Sequence, residues 1–262
     1  MPYFIGSVTA VVLFAYTYFK KHLTLSGAIL AAIITALFSF FELWDMLSLL
    51  LITYTTLMII DKATSRKRKP ISSEVIHSSG ARSAKQILAN GFAPLLATFF
   101  FAYSGNRAFL IVFAVGVGTT LADSAASDIG VLSSGVPKDI CTWKPLPPGL
   151  SGGVSGLGLF VSISSSILFS LVAYFCVKLS IREALIVAGF SFVGSVIDSI
   201  LGSRVQAKFK CGICQSITEK ITHCDVRTCQ ISGVKLIDNC AVNFLSSIVV
   251  CGLSLAWFIR GR

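Results

Sequence analysis

The chain has 262 residues, 54% hydrophobic and 13% charged, and a net charge of +10, with a mean hydropathy of +0.81. Soluble domains carry about 25% charged residues, so composition excludes an ordinary water-soluble globule. The expectation is an all-α, polytopic transmembrane helix bundle forming a single domain over residues 1–262.

Eight apolar stretches are long enough to be spans, at about 2–19, 24–41, 44–60, 86–103, 107–124, 153–177, 181–202 and 238–259. The first has no basic n-region and no small-residue cleavage site, so it reads as a retained helix rather than a signal peptide. Of the Lys and Arg residues, 17 fall in connections on one side and 5 on the other. The positive-inside rule then puts the long loops in the cytoplasm and both termini outside. That rule and attraction to anionic lipid account for most of the positive charge. With no nucleic-acid module beside it, no nucleic-acid partner is expected.

The first long connection, 61–91, opens with the basic tetrad Arg66, Lys67, Arg68 and Lys69, which reads as an anchor to lipid headgroups. After it, Arg82, Gln86 and Asn90 recur every four residues, so a helix would carry them on one face. The fifth stretch ends in Asp123-Ser124 and Ser127-Asp128. Asp123 and Asp128 sit five residues apart, about 140° around a regular helix. Either the helix breaks near Ala125–Ala126, or one aspartate binds a metal and the other supports it. A carboxylate at membrane depth is costly and marks function more often than structure.

Next comes Lys144, then Gly149, Ser151, Gly152 and Gly153. This is no P-loop, because the Lys-Ser/Thr ending is missing. It reads as a helix-start turn whose N–H groups suit an anion, or as close helix packing. The seventh stretch repeats the acid-hydroxyl pair as Asp198-Ser199 and ends near Arg204. The eighth opens with Asp238, Asn239 and Asn243, where Asp238 could be a helix cap. Asp123, Asp128, Asp198 and Asp238 all fall at cytoplasmic span ends, and the chain has only 12 acidic residues.

Between the last two spans, residues 203–237 form a cysteine-rich, zinc-ribbon-like cytoplasmic loop. Cys211, Cys214, Cys224 and Cys229 have the spacing of a tetrahedral Zn²⁺ site, with His223 as an alternative ligand. Structural zinc is favoured there over free thiols. Cys141, Cys176, Cys240 and Cys251 read as ordinary small residues.

Taken in order, these motifs resemble the integral-membrane family that contains the chloroplast phytyl-phosphate kinase. The matching stretches are Gln86 to Gly91, Ala122 to Gly130, Pro147 to Ser155, Gly194 to Gly202 and Asp238 to Asn243. Where that family usually reads Ala-Asp-Thr-Trp-Ala-Ser-Glu-Ile-Gly, this chain has Ser124, Ala125 and Asp128 in place of the Thr, Trp and Glu. The hydroxyl and the acid are kept and the aromatic is lost. The cysteine loop is similar to that of prokaryotic, especially archaeal, members.

The resemblance implies CTP-dependent phosphorylation of an isoprenyl monophosphate, with a distant relation to dolichol kinase and the CDP-diacylglycerol synthases. It further implies that Asp123 and Asp198 hold Mg²⁺, with Asp128 and Asp238 as further ligands or supports. Arg82, Lys144 and Arg204 would bind phosphate, Gly152 and Gly153 would cradle it, and Asn90, Asn239 and Asn243 would orient the ligands. Gln86, Ser124, Ser151 and Ser199 complete the expected substrate-binding set. The prenyl tail would lie between spans. A CDP-lipid-forming cytidylyltransferase and a transporter are the competing expectations.

Overall fold

The computed structural model describes residues 2–72 and 80–260, with no side-chain description for 2–4 or 69–72. Its eight helices are α1 (Pro2–Phe19), α2 (Leu25–Phe40), α3 (Trp44–Ser72), α4 (Ala84–Ser104), α5 (Arg107–Gly130), α6 (Gly156–Cys176), α7 (Ile181–Arg204) and α8 (Asn239–Arg260). The chain is a polytopic helical membrane protein.

Eight spans were expected, but among the described residues only α3 to α8 are long and apolar enough to cross a membrane. The first two helices are shorter. The 16 residues of α2 reach about 24 Å, less than a hydrocarbon core of ~30 Å. Tight turns cut both helices short, with Lys21 and Glu42 in the left-handed region at φ 57° and 56°.

The expected loop after residue 60 is also corrected, because α3 continues as helix to Ser72 and carries the basic tetrad. Arg82 does not share a helical face with Gln86 and Asn90. Ser83 caps α4, with Gln86 completing a capping box, so Arg82 precedes the helix and bridges the backbone of Leu23.

At the centre is α5, which packs against α3, α4, α6, α7 and α8. In its apolar window 78% of residues are buried, against 28–33% in the other five spanning helices. Lipid therefore faces those five, while α5 faces protein.

The parallel helices α5 and α7 are held together at two levels. At their starts, Arg107 Nε donates to Glu183 Oε1 at 2.6 Å and Arg107 Nη2 to Glu183 Oε2 at 2.9 Å. Midway, a Cβ on Gly194 would lie 2.4 Å from Thr119 Oγ1, and one on Gly118 would lie 2.2 Å from Ser191 Oγ. Small residues permit this approach, as in other membrane helix pairs. Thr119 and Gly194 stand four residues before Asp123 and Asp198 respectively. One turn onward, the same contact brings the two aspartates face to face.

Two elements close the loop end of the bundle. The first is a ribbon of β1 (Lys138–Asp139) and β2 (Gly153–Val154) between α5 and α6. The second is the insert between α7 and α8. There β3 (Lys208–Lys210) lies between β4 (Ile217–Thr218) and β7 (Cys229–Ser232), and β5 (Thr222–His223) pairs with β6 (Val226–Arg227).

Gly194→Ala drives its methyl into Thr119 and costs about 1–3 kcal/mol by overpacking. Thermal melting in detergent checks this. The Gly194→Ala/Thr119→Ala double variant is expected to melt above Gly194→Ala alone, and equal melting would place the clash elsewhere.

Candidate functional site

Asp123 and Asp198 meet across α5 and α7, half-buried and close enough for their charges to repel. Asp128 does not join them. The expected break near Ala125–Ala126 is absent, and α5 runs unbroken to Gly130. Asp128 therefore points around the helix to form an ion pair with Arg68 of α3.

Asp198 is fixed from α8. Ser246 Oγ donates to Asp198 Oδ2 at 2.7 Å. The Asn243 amide lies 3.2 Å from the same oxygen and 3.0 Å from the Asn239 carbonyl, and with its nitrogen turned that way it donates to both. In that orientation its oxygen faces the Asn90 amide of α4 at 3.1 Å and accepts from it. The residues assembled are thus Asp123, Asp198, Asn90, Asn243 and Ser246. Ser246 was not foreseen, although it follows Asn243 by three residues and so shares its face of α8.

Asn90 also lines a cleft of about 190 Å³ between α1, α2, α3, α4 and α5. That is below the usual range of ligand cavities, ~300–1,000 Å³. The wall is mostly apolar, with residues such as Leu50, Leu57, Phe113 and Val117, and its polar groups include Arg82, Gln86, Asn90, Thr120 and Tyr54. Pro94 helps to shape the cleft. It lacks the N–H that would bond the Asn90 carbonyl, and Thr120 Oγ1 shares its proton between that carbonyl at 3.4 Å and Gly116 O at 3.2 Å. Burial pushes the Arg82 guanidinium down from its ordinary value, while Asp61 and Tyr54 oppose the shift.

Other expected site residues lie elsewhere. Asp238 caps α8, accepting from Ala241 N at 2.9 Å, and pairs with Lys85. Partial burial raises its carboxyl, but Lys85 and the cap hold it below the usual range. The Gln86 side chain is occupied by its capping box, accepting from Ser83 N at 2.8 Å. Lys144 and Arg204 are exposed, Ser124 and Ser199 are half-buried beside their aspartates, and Asn239 opens α8.

The glycine turn does not present an empty anion cradle. Gly153 N donates to Leu150 O at 3.1 Å, and Ser151 N donates to Glu219 Oε1 at 2.7 Å. Gly152, at φ 84°, abuts α7, where a Cβ would lie 2.5 Å from the Ser203 backbone. Close packing explains this glycine.

Beneath the turn is a polar cluster that spacing did not signal. Asp139 is only 6% exposed. Its Oδ1 accepts from Cys141 N at 3.0 Å and from Thr142 N and Oγ1 at 2.8 and 3.1 Å. Its Oδ2 accepts from Ser203 Oγ at 2.8 Å. Burial pushes the Asp139 carboxyl up, but these bonds outweigh it and hold the group below its ordinary value. Lys208 is buried beside Asp139 and Glu219; burial lowers its ammonium and the two carboxylates oppose that. Glu219 is raised by burial against the pull of Ser151 and Lys208.

In the insert, ligand atoms of Cys211, Cys214, His223 and Cys224 all lie within 4.8 Å of one another. Cys229 is outside the group, correcting the expected four-cysteine set. It pairs with Lys210 across β3 and β7, and directly opposed residues share a face. The next residue, Cys211, turns to the other face.

A model of the family described as "Integral membrane protein DUF92" matches residues 8–251. The chain belongs to that family. It is similar to Protein PGR of Arabidopsis thaliana, 27% identical over 263 residues, covering 91% of this chain and 90% of that protein. It is also similar to the uncharacterized membrane protein MJ0933 of Methanocaldococcus jannaschii, 27% identical over 127 residues, covering 48% of this chain and 52% of that one. No solved structure matches the chain. In this DUF92 member, the expected resemblance holds at the level of the integral-membrane family.

Asp139 supports a pH test. A carboxyl whose folded pKa lies below its unfolded value stabilises the fold above about pH 4, and that contribution is lost as pH falls through the folded value. Asp139→Asn is expected to cost about 1–3 kcal/mol at pH 7. The gap in melting temperature from wild type should narrow as pH falls below about 4, and a constant gap would sink the assignment.

Proposed function

We propose that this protein transfers the terminal phosphoryl group of a nucleoside triphosphate to an isoprenyl monophosphate at the cytoplasmic membrane face. The family resemblance makes CTP the expected donor. The supporting observation is that Asn90 belongs to the wall of the apolar cleft and, by donating to the Asn243 oxygen, to the hydrogen-bonded network of Asp198. A lipid tail in the cleft would carry its phosphate to the carboxylate pair.

Mg²⁺ suits this donor set, because carboxylate, amide and hydroxyl oxygens are the hard ligands it takes. Asp123 and Asp198 would hold it, with Asn243 and Ser246 fixing Asp198. When bound, it neutralises charge on the transferring phosphates. Arg82 adds a cation for the lipid phosphate, and the apolar wall excludes water.

A new P–O bond forms between an acceptor phosphate oxygen and the γ-phosphorus as the bond from that phosphorus to the bridging oxygen breaks, releasing the nucleoside diphosphate. The acceptor oxygen is already ionised, so no general base is required. Asp123 lies seven residues before the end of α5 and Asp198 six before the end of α7. At 1.5 Å per residue, both are about 10 Å from the loop end. That depth suits a headgroup more than a midplane ion path.

The test combines purified protein, Mg²⁺, a C20 prenyl monophosphate, and CTP labelled at the α- or γ-phosphorus. Label entering the lipid from the γ position is expected. Label from the α position would make the protein a cytidylyltransferase, and absence of transfer with CTP and ATP would favour transport. Asp123→Asn and Asp198→Asn should each lower turnover about 10²-fold or more while insertion is kept. Full turnover in either variant would remove that residue from the site.

A further inference from the structure

We infer that Cys211, Cys214, His223 and Cys224 bind one tetrahedral Zn²⁺, and that this ion fixes the segment that seats Glu219 against the glycine turn. The site is built from two tight turns brought tip to tip. At the first, Gln215 N bonds Cys211 O at 3.1 Å and Cys211 N bonds Ser216 O at 3.0 Å, with Gln215 left-handed at φ 61°. At the second, the β5–β6 hairpin turns through Cys224 and Asp225, at φ 50° and 58°.

Nδ1 of His223 lies 3.4 Å from Cys214 Sγ and 3.3 Å from Cys224 Sγ. Zn–S bonds of ~2.3 Å and Zn–N bonds of ~2.0–2.1 Å give tetrahedron edges of about 3.6–3.8 Å. A small outward movement of these atoms therefore accommodates the ion. Three thiolates and an imidazole form one of the standard closed structural zinc sets, and four donors leave no position for substrate. Free Cys214 and Cys224 supply two of the three sulfurs.

The consequence concerns the loop between the ligands. Cys214 and His223 bracket residues 215–222, which include Glu219, whose carboxylate accepts from Ser151 N at 2.7 Å. The strands beside it are two or three residues long, too short to set this loop by pairing alone. A metal joining its two ends supplies that restraint. The inference is independent of the chemistry assigned to Asp123 and Asp198.

The experiment measures metal in the full-length protein purified in detergent, with wild type, His223→Ala, Cys224→Ser and Cys229→Ser. One zinc per chain is expected in wild type and in Cys229→Ser. Release to a competing chelator should be about tenfold faster or more in His223→Ala and Cys224→Ser. If those two variants fail to fold, the Co²⁺-substituted forms of wild type and Cys229→Ser decide, with identical visible spectra expected. Absence of zinc, iron in its place, or a changed spectrum or lost zinc in Cys229→Ser would overturn the ligand set. Zinc removal from wild type should also speed hydrogen exchange at Ser151 N–H, and unchanged exchange would overturn the link to Glu219.

Discussion

Two carboxylates held beside each other inside a helix bundle repel, and their hydration is limited by the protein and lipid around them. Asp123 and Asp198 are in this position. Their proximity follows from the way α5 and α7 are locked. The Arg107–Glu183 pair fixes the far ends, and Gly194 admits Thr119 to van der Waals contact one turn before the acids. The surrounding helices leave α5 little freedom to rotate away. Packing along the pair opposes the repulsion, and a cation between the acids, such as the proposed Mg²⁺, would relieve it.

The proposed chemistry also requires a path from lipid to those acids. Pro94 in α4 gives up one helical hydrogen bond, and Thr120 shares its proton with the stranded Asn90 carbonyl. The exchange ties α4 to α5 at the point where the cleft meets the Asp198 network. Asn90 thus faces two environments, with its backbone braced by α5 and its amide engaged by α8. Rotation of α4 would disturb the cleft wall and the carboxylate network together.

Much of this arrangement was legible in the sequence. Six of the eight expected spans were visible from apolar length, and the repeated Asp-Ser pair suggested facing acids, as Asp123 and Asp198 are. Asp128 and Asp238 were grouped with them because span ends collect acids for several reasons. One proved to be an ion-pair partner of α3 and the other a helix cap. The Arg82–Gln86–Asn90 spacing looked helical, but the capping preference of Ser83 starts α4 at Ala84, two residues after Arg82. Cysteine spacing located the insert's cluster, while strand register, which spacing does not encode, selected His223 over Cys229. Asp139, Lys208 and Glu219 had no periodic signal, because their burial depends on loops folding over one another.

That loop packing alters the meaning of the glycine turn. A run of glycines before a helix suggests free N–H groups waiting for an anion. Here Gly152 is compressed against Ser203 of α7, and Ser155 caps α6 by accepting from Gly158 N at 3.1 Å. The Ser151 N–H already has a carboxylate partner in Glu219. The turn is therefore a joint where the β1–β2 ribbon, the end of α7 and the cysteine-rich insert meet. Asp139 holds the ribbon to α7 through Ser203, and Glu219 holds the turn to the insert. Because α7 also carries Asp198, six residues before its end, the insert and the carboxylate pair are joined by a continuous set of hydrogen bonds and close contacts.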